Sequence, residues 1–258
     1  CRFHVELFDG PGAGAPFDRY LFQVLALGEG YGGLEHRAST SLVCARRDLP
    51  RAGTAKVTDE YRSFLGLASH EYFHAWNVKR IKPAAFVPYD LAREGYTRQL
   101  WAFEGLTSYY DDLALVRSAV IDAASYLELL GRTITGVLRT PGRHVQSVAD
   151  SSFDAWIKYY RQDENTPNAV VSYYAKGALV GLALDLLLRR EGAALDDVMR
   201  VLWQRYGRTG VGVPEDGVAS IASEIAGRDL ADFFARHVDG LEDPPPAPPS
   251  SPHAVSRG

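Results

Sequence analysis

The chain has 258 residues, of which 46% are hydrophobic and 23% are charged, with 28 Lys and Arg against 32 Asp and Glu. This length allows one large domain or two small ones with a buried core, and a formal charge of -4 argues against a nucleic-acid-binding surface. The longest apolar run, residues 178–188, contains Asp185 and is too short to span a membrane. We therefore predict a soluble protein that neither crosses a membrane nor binds nucleic acid.

Residues 1–57 are expected to be the end of an N-terminal β region together with the edge strands of the domain that follows. The segments YLFQVLAL and STSLVCAR flank the glycine-rich GEGYGG, which is typical of a small sheet. The opening CRFHVELFDG has neither an initiator Met nor a signal-peptide pattern. We therefore expect the chain to be a piece of a longer protein, and the sequence does not indicate a compartment.

Residues 58–241 are expected to form the helical part of the same domain. The first helix is predicted to begin at Thr58, because Thr caps helices well and the acidic Asp59 and Glu60 suit a first turn. Further helices are predicted at 97–120, 123–138, 173–190, 196–206 and 214–226. Residues 242–258 are proline-rich and are expected to be a linker or disordered tail. The predicted class is α+β, a small sheet followed by a mostly helical region.

The stretch SHEYFHAWN places two histidines four residues apart on the first predicted helix. Residues at this spacing share one helix face, so the imidazoles of His70 and His74 can bind the same metal ion. Glu71 lies beside them, where it can act as the general base on a metal-activated water. The alternative is that both histidines are ordinary residues at the edge of a core.

A catalytic zinc site needs a third protein ligand, and Glu104 in LWAFEGLTSYY is the candidate. Its neighbours are apolar, so an unpaired carboxylate would be costly there and a metal ion would relieve that cost. The alternative for Glu104 is a surface ion pair. Two imidazoles and a carboxylate around an open position favour a single Zn²⁺.

The segments SHEYFHAWNVKRIKP, LWAFEGLTSYY, GYGGLEHRAST and VSYYAKGALVGLALDLLLR resemble the glycyl aminopeptidase family of zinc metallopeptidases. The resemblance covers roughly residues 20–241. It implies a thermolysin-like catalytic domain in which zinc is bound by His70, His74 and Glu104, with Glu71 as general base. It also implies a PDZ domain in the full-length protein, and most of the family's N-terminal β-domain is missing from this sequence.

A more distant resemblance, to the aminopeptidase N group, implies roles outside the metal site. A strand with Gly32 and Gly33 that ends in Glu35 would bind the substrate and hold its free amine. Tyr174 of YAKG would assist the reaction by donating a hydrogen bond to the developing oxyanion. Without the resemblance, Glu35 could only stabilise a turn, and Tyr174 could simply pack beside Tyr173.

The residues around the motif are predicted to support the site rather than to bind the metal. Asp111 and Asp112 are expected to be hydrogen-bonding or solvated groups, and Lys176 is expected to be structural or ion-pairing. The residues after the second histidine are expected to brace or wall the site: Trp76, Asn77, Lys79 and Arg80.

These features predict a zinc-dependent aminopeptidase that hydrolyses small N-terminal residues, Gly or Ala, from peptides with a free N-terminus. The preference for Gly or Ala comes from the resemblance alone. A zinc endopeptidase would fit instead if Glu35 points away from the cleft. A non-catalytic peptide-binding module on a peptidase fold is disfavoured, because such decay usually removes the base or a ligand.

Overall fold

A computed structural model describes residues 1–53 and 57–245. Strands β1 (Leu21–Leu27), β2 (Tyr31–Glu35) and β3 (Ser39–Ala45) form one sheet in the order β1-β3-β2. The central β3 is parallel to β1 and antiparallel to β2. The small sheet predicted from alternating residues and glycine turns is therefore confirmed.

The rest of the described chain is mainly helical, as predicted. The helices are α1 (Arg2–Asp9), α2 (Asp59–Phe73), α3 (Leu106–Arg117), α4 (Ala123–Arg139), α5 (Val148–Phe153), α6 (Thr166–Ala169), α7 (Ala175–Arg190), α8 (Leu195–Leu202), α9 (Gly217–Ala226) and α10 (Ala231–Phe234). π-Helical turns occur at Trp101–Gly105, Ala155–Tyr159, Trp203–Gly207 and Ala235–Asp239. Within the described residues, no helix is long and apolar enough to cross a membrane.

Helix α2 begins where its capping residue predicts. The side chain of Thr58 accepts a hydrogen bond from the backbone N–H of Tyr61, and two acidic residues follow in the first turn. At the other end, α2 stops at Phe73, and His74 is the next residue, still in helical conformation. Residues 70–74, which form the HExxH motif, therefore lie at the last turn of this helix.

The helix predicted over 97–120 differs from the observed structure at its start. Regular α-helix begins only at Leu106, after a π-helical turn that contains Glu104. A backbone approach explains the position of this turn, since a Cβ atom on Gly105 would lie 2.6 Å from Cα of Gly177 in α7. The turn and α7 pack backbone against backbone, which brings Glu104 close to the residues that begin α7.

Helix α1 was not predicted, and it lies in the segment expected to end a β region. Its Leu7 and Phe8 are buried, and the ring of Phe8 stacks on that of Trp76 at a centroid distance of 5.2 Å. Trp76, next to the motif, is itself fully buried. Helix α1 therefore packs against the loop after α2 and supports it.

The first residues of the predicted tail, 242–245, are described by the structure and pack against the helical region. Pro244 is buried, and the carboxylate of Asp243 pairs with Arg143 and with Lys176. Residues 242–245 of the expected linker or disordered tail therefore contact the helical region, and the expectation itself stays a prediction. Residues 246–258 of that expected tail lie outside the described residues.

Candidate active site

The two histidines of the motif and Glu104 converge on one point. Nε2 of His74 lies 3.2 Å from Oε2 of Glu104, and Nε2 of His70 lies 3.4 Å from the same oxygen. The ligand atoms of the three residues all lie within 4.8 Å of one another. The fold thus brings together the three residues that the sequence predicts as metal ligands, although they come from two separate helical segments.

The second nitrogen of each imidazole has its own acceptor. Nδ1 of His70 lies 3.1 Å from Oδ2 of Asp111, and Nδ1 of His74 lies 2.7 Å from the backbone oxygen of Asn77. Each Nδ1 is therefore the donor, and the lone pair of each Nε2 is directed at Glu104. Asp111, predicted as a supporting group, accepts this hydrogen bond from His70.

The electrostatics of this cluster are those of a cation site. Oε2 of Glu104 is buried and has no hydrogen-bond partner among the described residues. Burial favours the neutral form of His70, but its contacts with Asp111 and Glu104 outweigh this effect and raise the pKa of His70 to about 10. Burial also opposes ionisation of Glu104, but His74 and His70 lower its pKa to about 2. Three electron-rich atoms face one another, and they are stable only around a proton or a metal ion.

Asn77 connects the two segments that carry the cluster. Its side-chain nitrogen donates to the backbone oxygens of Ala102 and Phe103 at 3.2 and 3.3 Å and to the hydroxyl of Thr107 at 3.2 Å. Its own backbone oxygen accepts the hydrogen bond from His74. One buried amide therefore fixes both the imidazole of His74 and the turn that holds Glu104.

Glu71 lies beside the cluster with little room around it. It is only 5% exposed, and its Oε2 has no hydrogen-bond partner among the described residues. Burial raises its pKa, His74 and His70 oppose this effect, and the neighbouring Glu35 adds to it. A carboxylate with a raised pKa is a stronger base than a solvated one, which suits proton abstraction.

Glu35 lies at the end of β2, and its carboxylate approaches the residues of the cluster. Ligand atoms of Glu35, Glu71 and His74 lie within 4.8 Å of one another. Oε1 of Glu35 is 2.9 Å from Nζ of Lys79, an ion pair that sequence reasoning missed. Gly32 and Gly33 precede Glu35 in the same strand, and Gly33 passes directly against Glu71.

Tyr174 immediately precedes α7 and flanks the other side of the cluster. Its ring is 6.2 Å from that of His70, and its hydroxyl is 2.9 Å from the hydroxyl of Tyr160. Burial, followed by the nearby Glu104, raises the pKa of Tyr174, so the phenol stays protonated and can donate a hydrogen bond. Tyr160 lies in an irregular segment without any recognisable motif, and sequence reasoning had no signal for it.

A family model described as M61 glycyl aminopeptidase matches residues 63–180. That range contains the HExxH motif, Glu104 and Tyr174. This match supports placing the chain with the M61 glycyl aminopeptidase family. No curated protein matches the chain.

Among solved structures, this chain is similar to an aminopeptidase N family protein from Idiomarina loihiensis. The two are 47% identical with a TM-score of 0.90, and the match covers 94% of this chain and 41% of that chain. The chain therefore spans less than half the length of the protein that it matches. At this identity and TM-score, the likeness extends through the sheet and the helices that build the candidate site.

Proposed function

We propose that this chain is the catalytic part of a zinc-dependent aminopeptidase that removes small N-terminal residues, Gly or Ala, from peptides. The observation that carries the proposal is the convergence of two Nε2 atoms, from His70 and His74, on one buried oxygen of Glu104. The match to a peptidase family supports it. The preference for Gly or Ala rests on the family alone. A thermolysin-like fold class and a PDZ domain in the full-length protein stay predictions.

The donor set fits zinc, which is bound in catalytic sites by three imidazole or carboxylate ligands with one position left open. Zinc held by His70, His74 and Glu104 would acidify a water and polarise the scissile carbonyl. Glu71 takes a proton from the attacking water at its free Oε2 and passes it to the leaving amine. The protonated hydroxyl of Tyr174 donates a hydrogen bond to the carbonyl oxygen as negative charge develops there.

Glu35 supports an aminopeptidase rather than an endopeptidase. Its carboxylate lies within 4.8 Å of groups of Glu71 and His74, so it points into the cleft and not away from it. One oxygen is paired with Lys79, and a carboxylate has lone pairs left for a second donor. An N-terminal ammonium bound there by a charge-assisted hydrogen bond would place the first peptide bond next to Glu71.

The test combines metal content with substrate blocking in the full-length protein. We expect about one zinc per chain and cleavage of a glycyl peptide but not of its N-acetylated form. Glu71→Gln should retain the zinc and lose turnover by a factor of at least about 10³, because the base is removed while the ligands stay. Absence of zinc would contradict the metal site, and equal cleavage of both peptides would show an endopeptidase.

A further inference from the structure

A cationic pocket is lined by residues from the loop after β2 and the loop after α2. Arg37, Arg80 and Lys82 line a cavity of about 150 Å³, and the remaining wall is mainly apolar and aromatic. That wall is formed by Phe86, Val87, Pro88, Tyr89, Gly207 and Gly210. Nζ of Lys82 is positioned over the ring of Tyr89, 4.4 Å from its centroid.

The three cations of this pocket are not neutralised by any acidic side chain that the structure describes. Among the described residues, none of Arg37, Arg80 and Lys82 has a carboxylate at ion-pairing distance, whereas the adjacent Lys79 is paired with Glu35. Burial and then the neighbouring cations lower the pKa of Lys82, and no acidic group opposes them. Bringing three like charges to one pocket costs free energy. A bound anion would recover that cost.

Arg80 has a structural task that leaves the other two cations available. Its guanidinium donates to the backbone oxygens of Pro16 at 3.0 Å, Arg37 at 2.8 Å and Ala75 at 2.6 Å. It therefore ties the loop after β2 to the loop after α2. Arg37 and Lys82 make no such side-chain hydrogen bonds to described residues, and they line the pocket from these two loops.

Two residues link the pocket to the proposed amine site. Arg37 lies two residues beyond Glu35, and Lys79, the ion-pair partner of Glu35, is also one of the cations that act on Lys82. A negative group that adjoins a positive pocket is complementary to an ammonium and a carboxylate held close together. Peptides offer this arrangement when one of the first residues is acidic.

We propose that the Arg37–Lys82 pocket is a substrate subsite for a carboxylate carried on one of the first two residues of the peptide. The proposal deepens the aminopeptidase function and rests on it for the position of the N-terminus. It adds an acidic substrate class to a site whose family name indicates only glycine.

The experiment measures equilibrium binding, so that it does not depend on turnover. Three tripeptide amides are titrated calorimetrically into the zinc-loaded, full-length Glu71→Gln protein: Ala-Ala-Ala, Asp-Ala-Ala and Ala-Asp-Ala. The amide removes the C-terminal carboxylate, so the Asp side chain is the only anionic group of each acidic peptide. The same titrations are repeated with Arg37→Gln and Lys82→Gln added, and with Arg139→Gln as a control, because Arg139 is an exposed cation at the end of α4.

We expect at least one acidic peptide to bind about tenfold more tightly than the neutral one, since a charge-assisted hydrogen bond contributes on this scale. The advantage should fall to less than about threefold with Lys82→Gln or Arg37→Gln and persist with Arg139→Gln. Equal binding of all three peptides, or an advantage that survives both pocket substitutions, would overturn the proposal. If the protein with Glu71 cleaves no peptide while the preference is intact, the aminopeptidase fails and the anion subsite stands.

Discussion

The backbone of β2 passes so close to the proposed base that a Cβ atom on Gly33 would lie 2.1 Å from Oε1 of Glu71. No side chain can occupy this space unless the carboxylate moves. Gly32, one residue earlier in the same strand, has no atom within 4 Å of its own Cβ position. Sequence reasoning grouped the two glycines as substrate-binding residues. In the structure they differ, because a Cβ atom has room at Gly32 but not at Gly33.

Gly33→Ala is therefore expected to displace the carboxylate of Glu71 without touching the metal ligands. We expect kcat to fall by about 10² or more, because a displacement of about 1 Å in a catalytic group costs on that order, while zinc content stays at the wild-type level. Gly32→Ala is the matched control and should lose far less activity. Steady-state kinetics and metal analysis on both variants make the comparison. Equal activity of the two variants would show that Glu71 is not held by this contact.

The part of the site predictable from sequence is the part set by local geometry. His70 and His74 are one helical turn apart, so their common face follows from the spacing alone. Glu104 was found through its apolar neighbours, but its place in a π-helical turn depends on the contact between Gly105 and Gly177. That contact joins residues 72 positions apart and has no local signature.

The residues that sequence reasoning missed act through long-range contacts. Tyr160, at the end of a π-helical turn, contacts Tyr174. Lys79, in the loop after α2, forms an ion pair with Glu35 at the end of β2. Helix α1 has only 8 residues, and its stability comes from burial of side chains such as Phe8 against Trp76. Such pairings depend on tertiary packing, which the periodicity of one segment does not report.

Asp111→Asn should weaken metal binding because the amide is a poorer acceptor for Nδ1 of His70. Loss of such a supporting hydrogen bond typically costs about 10- to 100-fold in metal affinity. Asp112→Asn is a matched control, since it changes a neighbouring carboxyl group and leaves in place the hydrogen bond that Asp111 accepts from His70. Competition with a chromophoric chelator gives both affinities. If the two variants lose affinity equally, the general charge of this region and not the hydrogen bond supports the site.

Lys176→Met should destabilise the fold, because it breaks an ion pair that anchors the C-terminal segment. The lysine is 0% exposed, and its Nζ lies 3.1 Å from the backbone oxygen of Leu241 and 3.2 Å from Oδ1 of Asp243. Asp243 keeps Arg143 as a partner and is partly exposed, so we expect a loss of about 1 to 3 kcal/mol, below that for a fully buried pair.

Arg205→Met serves as the control for this measurement, because the pair of Arg205 with Glu224 is at the surface. Exposed pairs contribute about 0 to 1 kcal/mol, so its unfolding midpoint in urea should hardly change. A loss for Lys176→Met no larger than that for Arg205→Met would mean that the segment around Asp243 is held by other contacts, such as the burial of Pro244.

His4 is expected to make the stability of the fold depend on pH. Its ring is buried against Tyr72 and Phe73, with one nitrogen 3.2 Å from the hydroxyl of Ser69. Burial lowers the pKa of His4 to about 3, against about 6.5 in an unfolded chain. The unfolded state therefore takes up a proton first as the pH falls. The contribution of His4 to the free energy of unfolding is complete well above about pH 6.5 and is lost progressively between about pH 6.5 and 3.

At pH 4 this one residue should lower the free energy of unfolding by about 3 kcal/mol relative to pH 7. His4→Gln has no titrating group but can still hydrogen-bond to Ser69, so its stability should fall less over the same interval. Urea unfolding of both proteins at pH 7, 5.5 and 4 gives the two curves, and their difference cancels the contribution of every other titrating group. Parallel curves would mean that His4 takes up its proton without loss of the fold, by opening the contact between α1 and α2 that buries it.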